Sequence, residues 1–413
     1  MRNTYIKEMI DVWKRQKRNW KIIAIRQVFN RFFNEIVRSY SNIYITLLGA
    51  SPVDLGIVNS FTGISNALIS VPLGWFQDRY SIRKIFIMGI GLLAIVPIIY
   101  ATASSWQIII PAMVLAALAR KEGSCLIICN ISLDNEDRLT AKSICEGIGR
   151  IPALLAPITA AYIISVSGGM NVNGLRPIFW IQFIASFIMF LFILTQLKEI
   201  ERPQLHRGYD KKSEGFFNSF RDIFRKGVKL KRWVLFSSIS SFLMMMMRAF
   251  RYNYAFEIKH ADQYMIGLLA TASVLLQIFM YTPIGKLSDK IGRKKILYIL
   301  IPLVWISNLL YVFSPSNEIL LIAAFLNGFQ LISMVVQNAM TAELIPPEYM
   351  GRWIGLLGLF IGLIDIPAPI IGGLIWENIG PEFIFIIPII IDILIRLPLL
   401  YTMPETVMRA RQS

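Results

Sequence analysis

Long apolar stretches alternate with short polar ones along the whole chain. A helix rises about 1.5 Å per residue, so about 20 mainly apolar residues are needed to cross a hydrocarbon core of about 30 Å. The apolar stretches reach this length, and they predict twelve membrane-spanning helices, numbered here as segments 1 to 12. These begin roughly at residues 22, 54, 85, 106, 143, 177, 233, 263, 296, 318, 351 and 383. The pattern therefore predicts an all-α membrane protein.

Composition and charge agree with a membrane protein. Hydrophobic residues make up 55% of the 413 residues and charged residues only 16%, whereas a soluble protein has about a quarter charged residues. The loops on one side of the predicted membrane hold only Arg176 and Lys259 out of 42 basic residues, and eight more lie deep within the segments. Since the others lie on the opposite side, the positive-inside rule places both termini in the cytoplasm of a cell (plasma) membrane protein.

The net charge of +16 is explained by this topology. Basic residues beside the inner leaflet attract anionic lipid, so we expect lipid as a partner and no nucleic acid.

Two loops of the chain repeat each other. Residues 74–84 (GWFQDRYSIRK) follow segment 2, and residues 285–295 (GKLSDKIGRKK) follow segment 8, so that their glycines and their aspartates are each 211 positions apart. A turn with unsatisfied backbone groups and charged side chains cannot lie in hydrocarbon. Each copy is therefore expected to form a tight turn at the cytoplasmic surface. The candidate gate residues of these turns are Gly74, Asp78, Arg79, Arg83, Gly285, Asp289, Gly292 and Arg293.

The spacing in both loops resembles G-x-L-x-D-R-x-G-R-K, the signature of the major facilitator superfamily between its second and third helices. The second copy matches better, because the first has Ser81 and Ile82 where the pattern has Gly and Arg. The short loops that contain Arg138 and Arg352 resemble the family's acidic-then-Arg turns, and both arginines join the candidate gate. Residues 404–406 match the family's P-E-T after its twelfth helix.

This resemblance implies twelve helices in two pseudo-symmetric six-helix bundles, the major facilitator fold. The expected boundaries are residues 1–197 for the first bundle with its basic N-terminal segment, 198–232 for a cytoplasmic linker and 233–413 for the second bundle. The resemblance also implies that Asp78 and Asp289 each lie at the N-terminus of a helix in the opposite half, where the helix dipole favours a carboxylate.

Segment 1 carries the densest set of polar residues within the predicted membrane. Arg31, Asn34, Glu35 and Arg38 share one helical face. Ionisable groups in a spanning helix are costly and mark a pathway by default. The face therefore lines a cavity for solute or protons, or alternatively it forms a structural ladder from Arg31 through Glu35 to Arg38.

Other charged residues lie in segments 4, 7 and 11. The pathway candidates among them are Arg120, Glu122, Arg248, Arg251 and Asp365, the last of which precedes two prolines that bend the helix.

Two further pairs at i,i+4 spacing, Glu146 with Arg150 and Asp392 with Arg396, are interpreted as internal ion pairs. Basic groups at these depths outnumber acidic ones by eight to five. This balance slightly favours an anionic or other polar solute over a lipophilic cation.

Secondary active transport by alternating access is the predicted function. The chain has no G-x-x-x-x-G-K-[ST] motif for ATP, so ion coupling is the expected energy source, and a midplane carboxylate flanked by arginines suits protons. Glu35 is the expected proton carrier, with Asp365 as the next candidate. We expect no cofactor, no metal site and no enzymatic activity, and a monomer whose partners are the solute, protons and lipid.

The direction of transport and the solute stay open at this point. Uptake of an organic anion competes with proton-driven multidrug efflux. The motif at residues 156–161, which recurs at 368–373, resembles the family's antiporter marker G-P-x-x-G-G, but it has alanine in place of glycine and leaves the direction of transport open. A transporter-like sensor or scaffold is a third alternative, and it would not need the gate turns.

Overall fold

The computed structural model describes residues 11–61, 63–64, 81–119, 149–199, 229–345 and 350–407, and within these ranges it contains helices and no strand. The first helices are α1 (Arg18–Arg38), α2 (Ser41–Leu47), α3 (residues 52–61), α4 (Ile82–Thr102), α5 (Ile109–Ala119), α6 (Arg150–Val166) and α7 (Val172–Gln196). They are followed by α8 (Leu230–Glu257), α9 (Gln263–Ile291), α10 (Arg293–Phe313), α11 (Asn317–Glu343), α12 (Met350–Asp365), α13 (Ala368–Asn378), α14 (Phe383–Ile391) and α15 (Leu397–Tyr401). A π-helical turn, Asp392–Arg396, joins α14 to α15.

The repeat seen in two loops extends to whole helices. Matching helices begin at Arg18 and Leu230, at Ile82 and Arg293, and at Val172 and Phe383, which are 212, 211 and 211 positions apart. Three helices of the first half therefore begin in the same register as three helices of the second half.

Eight of the described helical stretches are long and apolar enough to cross a membrane. Segments 4 and 5 appear as the shorter apolar stretches Trp106–Ala119 and Pro152–Val166, and the residues between them lie outside the described part of the chain. Segment 1 forms α1 and α2. The predicted all-α membrane class is confirmed, and the described ranges resolve part of the predicted count of twelve.

By their contacts the helices fall into two compact units. The first unit holds α1, α2 and α4–α7, and the second holds α3 and α8–α15. In the first unit α4 packs along α5 and α7, and α1 packs along α6 and α7. In the second unit α11 packs along α9 and α10, and α8 packs along α12 and α13. Sequence position alone would place α3 with the first unit.

Each unit has a buried apolar core of its own and an apolar exterior. Ile23, Phe86 and Ile193 lie in the core of the first unit, and Trp233 and Trp353 are fully buried in the second. Large apolar side chains are also exposed along the outer helices of both units. Exposed apolar side chains in such number are suited to contact with lipid rather than water.

The contact of α3 with α13 is unusually close. A Cβ atom added at Gly56 would lie 2.4 Å from the Pro369 carbonyl oxygen, and one added at Gly373 would lie 2.4 Å from the Pro52 carbonyl oxygen. Only glycine permits backbones to approach in this way. The two glycines therefore allow α3 to pack closely against α13 within the second unit.

The two basic residues of the sparsely charged side have structural partners. Arg176 Nη2 donates to the Ala103 carbonyl oxygen at 2.9 Å, and Lys259 Nζ donates to the carbonyl oxygens of Val312 and Ser314 at 2.6 and 3.1 Å. Burial lowers the pKa of the Lys259 ammonium. Both cations satisfy carbonyls at the C-terminal ends of α4 and α10, where a helix has no N–H donor left to offer.

Candidate functional site

The polar face of α1 contacts neighbouring helices of the first unit. Arg38 Nη1 pairs with Glu35 Oε1 at 2.7 Å, and Asn34 Oδ1 accepts a hydrogen bond from Gln182 Nε2 of α7 at 2.9 Å. The Arg31 Cδ atom lies against Gly149, where an added Cβ would be 2.8 Å away. The Glu35 and Arg38 side chains remain 23% and 49% exposed. One rung of the expected ladder is therefore formed, by two side chains that are partly exposed.

Arg248 and Arg251 occupy different environments on α8. Arg248 is exposed about two-thirds of the way along this 28-residue helix, whereas Arg251 is buried inside the second unit. Residues three positions apart are neighbours on a helix surface, so the two candidates lie where the exposed side of α8 meets its buried side.

Uncharged groups surround the Arg251 guanidinium. Its Nη2 donates to Asn308 Oδ1 at 3.2 Å, and Asn327, with its amide oxygen turned toward the guanidinium, accepts from Nη1 and Nη2 at 2.9 and 3.1 Å. The rings of Tyr311 and Phe385 lie 5.3 and 5.5 Å from the guanidinium carbon. Among the described residues no carboxylate lies within ion-pair distance of Arg251. Sequence reasoning identified the arginine and missed this shell of amides and rings.

Asp365 ends α12 where the predicted bend occurs. Pro367 and Pro369 supply no N–H, so carbonyls one turn earlier lose their helical partners and the helix is interrupted before α13 begins. Asp365 Oδ2 accepts a hydrogen bond from Ser241 Oγ at 2.9 Å. Its Oδ1 is buried, and no described group donates to it. The adjacent carbonyl oxygen of Ile366 accepts from Ser60 Oγ at 2.6 Å.

The second gate turn is shorter than predicted. Helix α9 continues through Gly285 and Asp289 to Ile291, and the chain leaves the helix only at Gly292, whose φ is +111°. The expectation of a turn over the whole of residues 285–295 was wrong. Water can solvate the charged side chains of a helix that extends beyond the membrane, so the helix does not need to end at the first charged residue. A Cβ at Gly285 would meet no described atom within 4 Å.

Charged groups form a network around this turn. Arg293 pairs with Asp289 at 2.6 Å and with Glu343 at 3.1 Å, and it also donates to Ser288 Oγ at 3.2 Å. The Asp289 side chain is 61% exposed. The expectation that Asp289 lies at the N-terminus of a helix in the opposite half stays a prediction.

Glu405, from the P-E-T residues, caps α10. Its Oε1 accepts from the Arg293 backbone N–H at 2.7 Å, and its Oε2 accepts from the Lys294 backbone N–H at 3.2 Å. The positive φ of Gly292 favours glycine, and an added Cβ would lie 2.3 Å from Glu405 Oε2, so that the capping side chain would have to shift. The carboxylate at the N-terminus of α10 therefore comes from the C-terminal end of the same half of the chain. The P-E-T residues were the sequence signal that could have identified this cap.

The first gate turn lies mostly outside the described residues. Arg83 is described, and it donates to the carbonyl oxygens of Leu197 and Leu194 at 2.7 and 3.1 Å, at the C-terminal end of α7. The other candidates outside the described residues or side chains are Gly74, Asp78, Arg79, Arg120, Glu122, Arg138 and Arg352.

The predicted internal pair of Asp392 with Arg396 is confirmed. The two side chains meet at 2.9 Å and are only 6% and 10% exposed, and Asp392 Oδ2 also accepts from Trp305 Nε1 at 2.8 Å. Glu146, of the other predicted pair, lies outside the described residues.

Comparisons with known proteins agree with this architecture. The family model described as Major Facilitator Superfamily matches residues 24–258 and 238–412. The chain is 22% identical over 404 residues to the uncharacterized MFS-type transporter MJ1317 of Methanocaldococcus jannaschii, covering 93% of this chain and 94% of that one. It is 29% identical over 140 residues to the class B tetracycline resistance protein of Escherichia coli, covering 34% and 35%. The crystal structure of the nucleoside transporter NupG is similar with a TM-score of 0.76 at 15% identity, over 94% of this chain and 100% of that one. That last likeness concerns the fold alone.

Proposed function

The chain belongs to the Major Facilitator Superfamily, whose members are multi-pass membrane transporters and not enzymes, and from this premise we propose proton-coupled transport of an anionic or other polar solute by alternating access. The proposal includes a monomer in the plasma membrane with both termini cytoplasmic and with anionic lipid at the inner leaflet. The orientation of the termini and the contact with anionic lipid rest on the distribution of basic residues described above.

Asp365 is the observation that carries proton coupling. A buried carboxylate oxygen with no donor is costly when the group is charged, and a proton on the carboxylate removes that charge. Ser241 supplies only one hydrogen bond, and no cation lies within ion-pair distance among the described residues. Glu35 differs, because Arg38 at 2.7 Å already compensates its charge. The proposal therefore assigns the proton to Asp365 and keeps Glu35 as the comparison.

We expect Asp365→Asn to abolish accumulation driven by a pH gradient while solute exchange continues. Asparagine keeps the acceptor for Ser241 but cannot release a proton. The measurement uses proteoliposomes and a solute selected by a thermal-shift screen on the purified protein, with Glu35→Gln as the matched control. If Glu35→Gln separates accumulation from exchange and Asp365→Asn does not, Glu35 is the carrier. If both variants accumulate solute normally, neither carboxylate couples transport to protons.

Arg248 supports the preference for an anionic solute. It is an exposed guanidinium within a 28-residue spanning helix, and a charge at such a depth is costly unless it faces a polar pathway.

Arg248→Ala is expected to weaken solute binding about ten- to hundredfold. A lost charge-assisted contact in a partly desolvated site costs about 1.5–3 kcal/mol. Binding isotherms on purified protein measure this loss. Arg232→Ala, at an exposed position in the first turn of the same helix, is the control and should bind like wild type. A screen in which only lipophilic cations bind would contradict the anionic solute.

Proton-driven multidrug efflux is the second candidate function. Its support is the similarity over 140 residues to a tetracycline resistance protein. Efflux predicts that several unrelated lipophilic compounds bind and compete with one another, whereas the first proposal predicts one class of polar solute. The same thermal-shift screen separates the two.

A further inference from the structure

The second unit contains a small polar cavity among α8, α10, α11 and the π-helical turn. Its volume is about 30 Å³, and its polar lining consists of Ser240, Asn308, Gln330, Ser333, Gln337 and the Asp392–Arg396 pair. A cavity needs about 10–15 Å³ to hold one water molecule. The space therefore suits one small ion or about two water molecules, and it is too small for an organic solute.

Three of the hydrogen-bond acceptors at this cavity already have donors. Asp392 Oδ1 accepts from Arg396 Nη1 at 2.9 Å, and Asp392 Oδ2 accepts from Trp305 Nε1 at 2.8 Å. Asn308 Oδ1 accepts from Arg251 Nη2 at 3.2 Å. A guest that donates hydrogen bonds would thus find these oxygens engaged.

Two donors at the cavity, by contrast, lack a good acceptor. Arg396 is buried, and its Nε has no acceptor among the described residues. Asn308 Nδ2 has only the Met247 sulfur at 3.3 Å, and a thioether is a weak acceptor. Buried donors are normally satisfied, so both groups call for a guest that accepts.

The charged groups around the cavity carry a net positive charge. Two guanidinium groups adjoin the cavity, Arg251 through its contact with Asn308 and Arg396 directly. Among the described residues that line the cavity, Asp392 is the one carboxylate. An uncompensated buried charge is strongly destabilising. An anionic guest would neutralise the remaining positive charge, whereas water would not.

We propose that this cavity binds a small monovalent anion of the halide class, with chloride as the probe. Arg396 Nε and Asn308 Nδ2 supply the hydrogen bonds, and Arg251 supplies the balancing charge behind Asn308. The site lies within the second unit, and it does not depend on the identity of the transported solute or on proton coupling.

The test compares full-length protein in sodium chloride with sodium gluconate at equal ionic strength. Chloride at about ten times its dissociation constant should favour the folded state about elevenfold, which appears as a higher thermal unfolding midpoint. Gluconate is too large to enter and should have no such effect. Chloride-35 NMR on the same sample should show line broadening that bromide removes. Equal midpoints in the two salts, or the absence of broadening, would overturn the proposal.

Asn308→Asp is the discriminating variant. It replaces the cavity donor with a carboxylate that repels an anion, and the same carboxylate pairs with Arg251, so the fold should be retained. The chloride dependence of the midpoint and the NMR broadening should both disappear. Asn378→Asp, the same change at an exposed position on α13, should keep both. Chloride dependence that persists in Asn308→Asp would also overturn the proposal.

Discussion

Gly373→Ala is expected to release α3 from α13 at the end of the molecule that the charge pattern places outside. The added Cβ would lie 2.4 Å from the Pro52 carbonyl oxygen and 2.7 Å from Val53 Cα, and backbone atoms cannot rotate away as a flexible side chain would. Overpacking of this kind costs about 1–3 kcal/mol, which shifts the contact equilibrium about 5- to 150-fold. The hydrogen bond from the Val53 N–H to Glu377 Oε1, 3.1 Å long, is expected to break with it.

Thiol labelling measures this release. Val53→Cys is introduced after the three native cysteines are replaced by serine, and a membrane-impermeant maleimide is added from outside. Labelling in Gly373→Ala should be about 5- to 150-fold faster than in the parent protein. Gly355→Ala and Gly358→Ala are matched controls on α12, because an added Cβ there meets nothing within 4 Å. They should label at the parent rate, and an unchanged rate in Gly373→Ala would show that the contact tolerates the methyl group.

Asp392→Ala is expected to cost about 3–5 kcal/mol of stability. It leaves the buried Arg396 guanidinium without its counter-charge, and it removes the acceptor of Trp305 Nε1. The thermal unfolding midpoint of the purified protein measures the loss.

The double variant Asp392→Leu with Arg396→Met should recover most of the stability, because it removes both buried charges together and leaves apolar groups of similar size. Glu35→Gln breaks an ion pair that is 23% and 49% exposed, and it should cost no more than about 1 kcal/mol. Equal losses in the single and double variants at 392 would mean that the aspartate acts through packing and not through charge.

The sequence by itself determined the features that depend on neighbours along the chain. Apolar length established the spanning helices, and the interval of 211 residues between Asp78 and Asp289 established that the chain repeats. The spacing of four residues between Asp392 and Arg396 was enough to predict their ion pair. Helical periodicity is local, so these features require no knowledge of which helices touch. Periodicity could not locate the end of α9, because a charged helix continues into water as readily as it stops.

Tertiary structure alone decided the partners that come from distant parts of the chain. Glu405 caps a helix that begins 112 residues earlier, and Asn308 reaches Arg251 from a different helix. The placement of α3 in the second unit also depends on distant parts of the chain, because Gly56 and Gly373 allow α3 and α13 to pack closely. Which side chains meet across helices depends on the rotation and crossing of every helix in the bundle, and hydrophobic pattern records only which face of each helix is apolar.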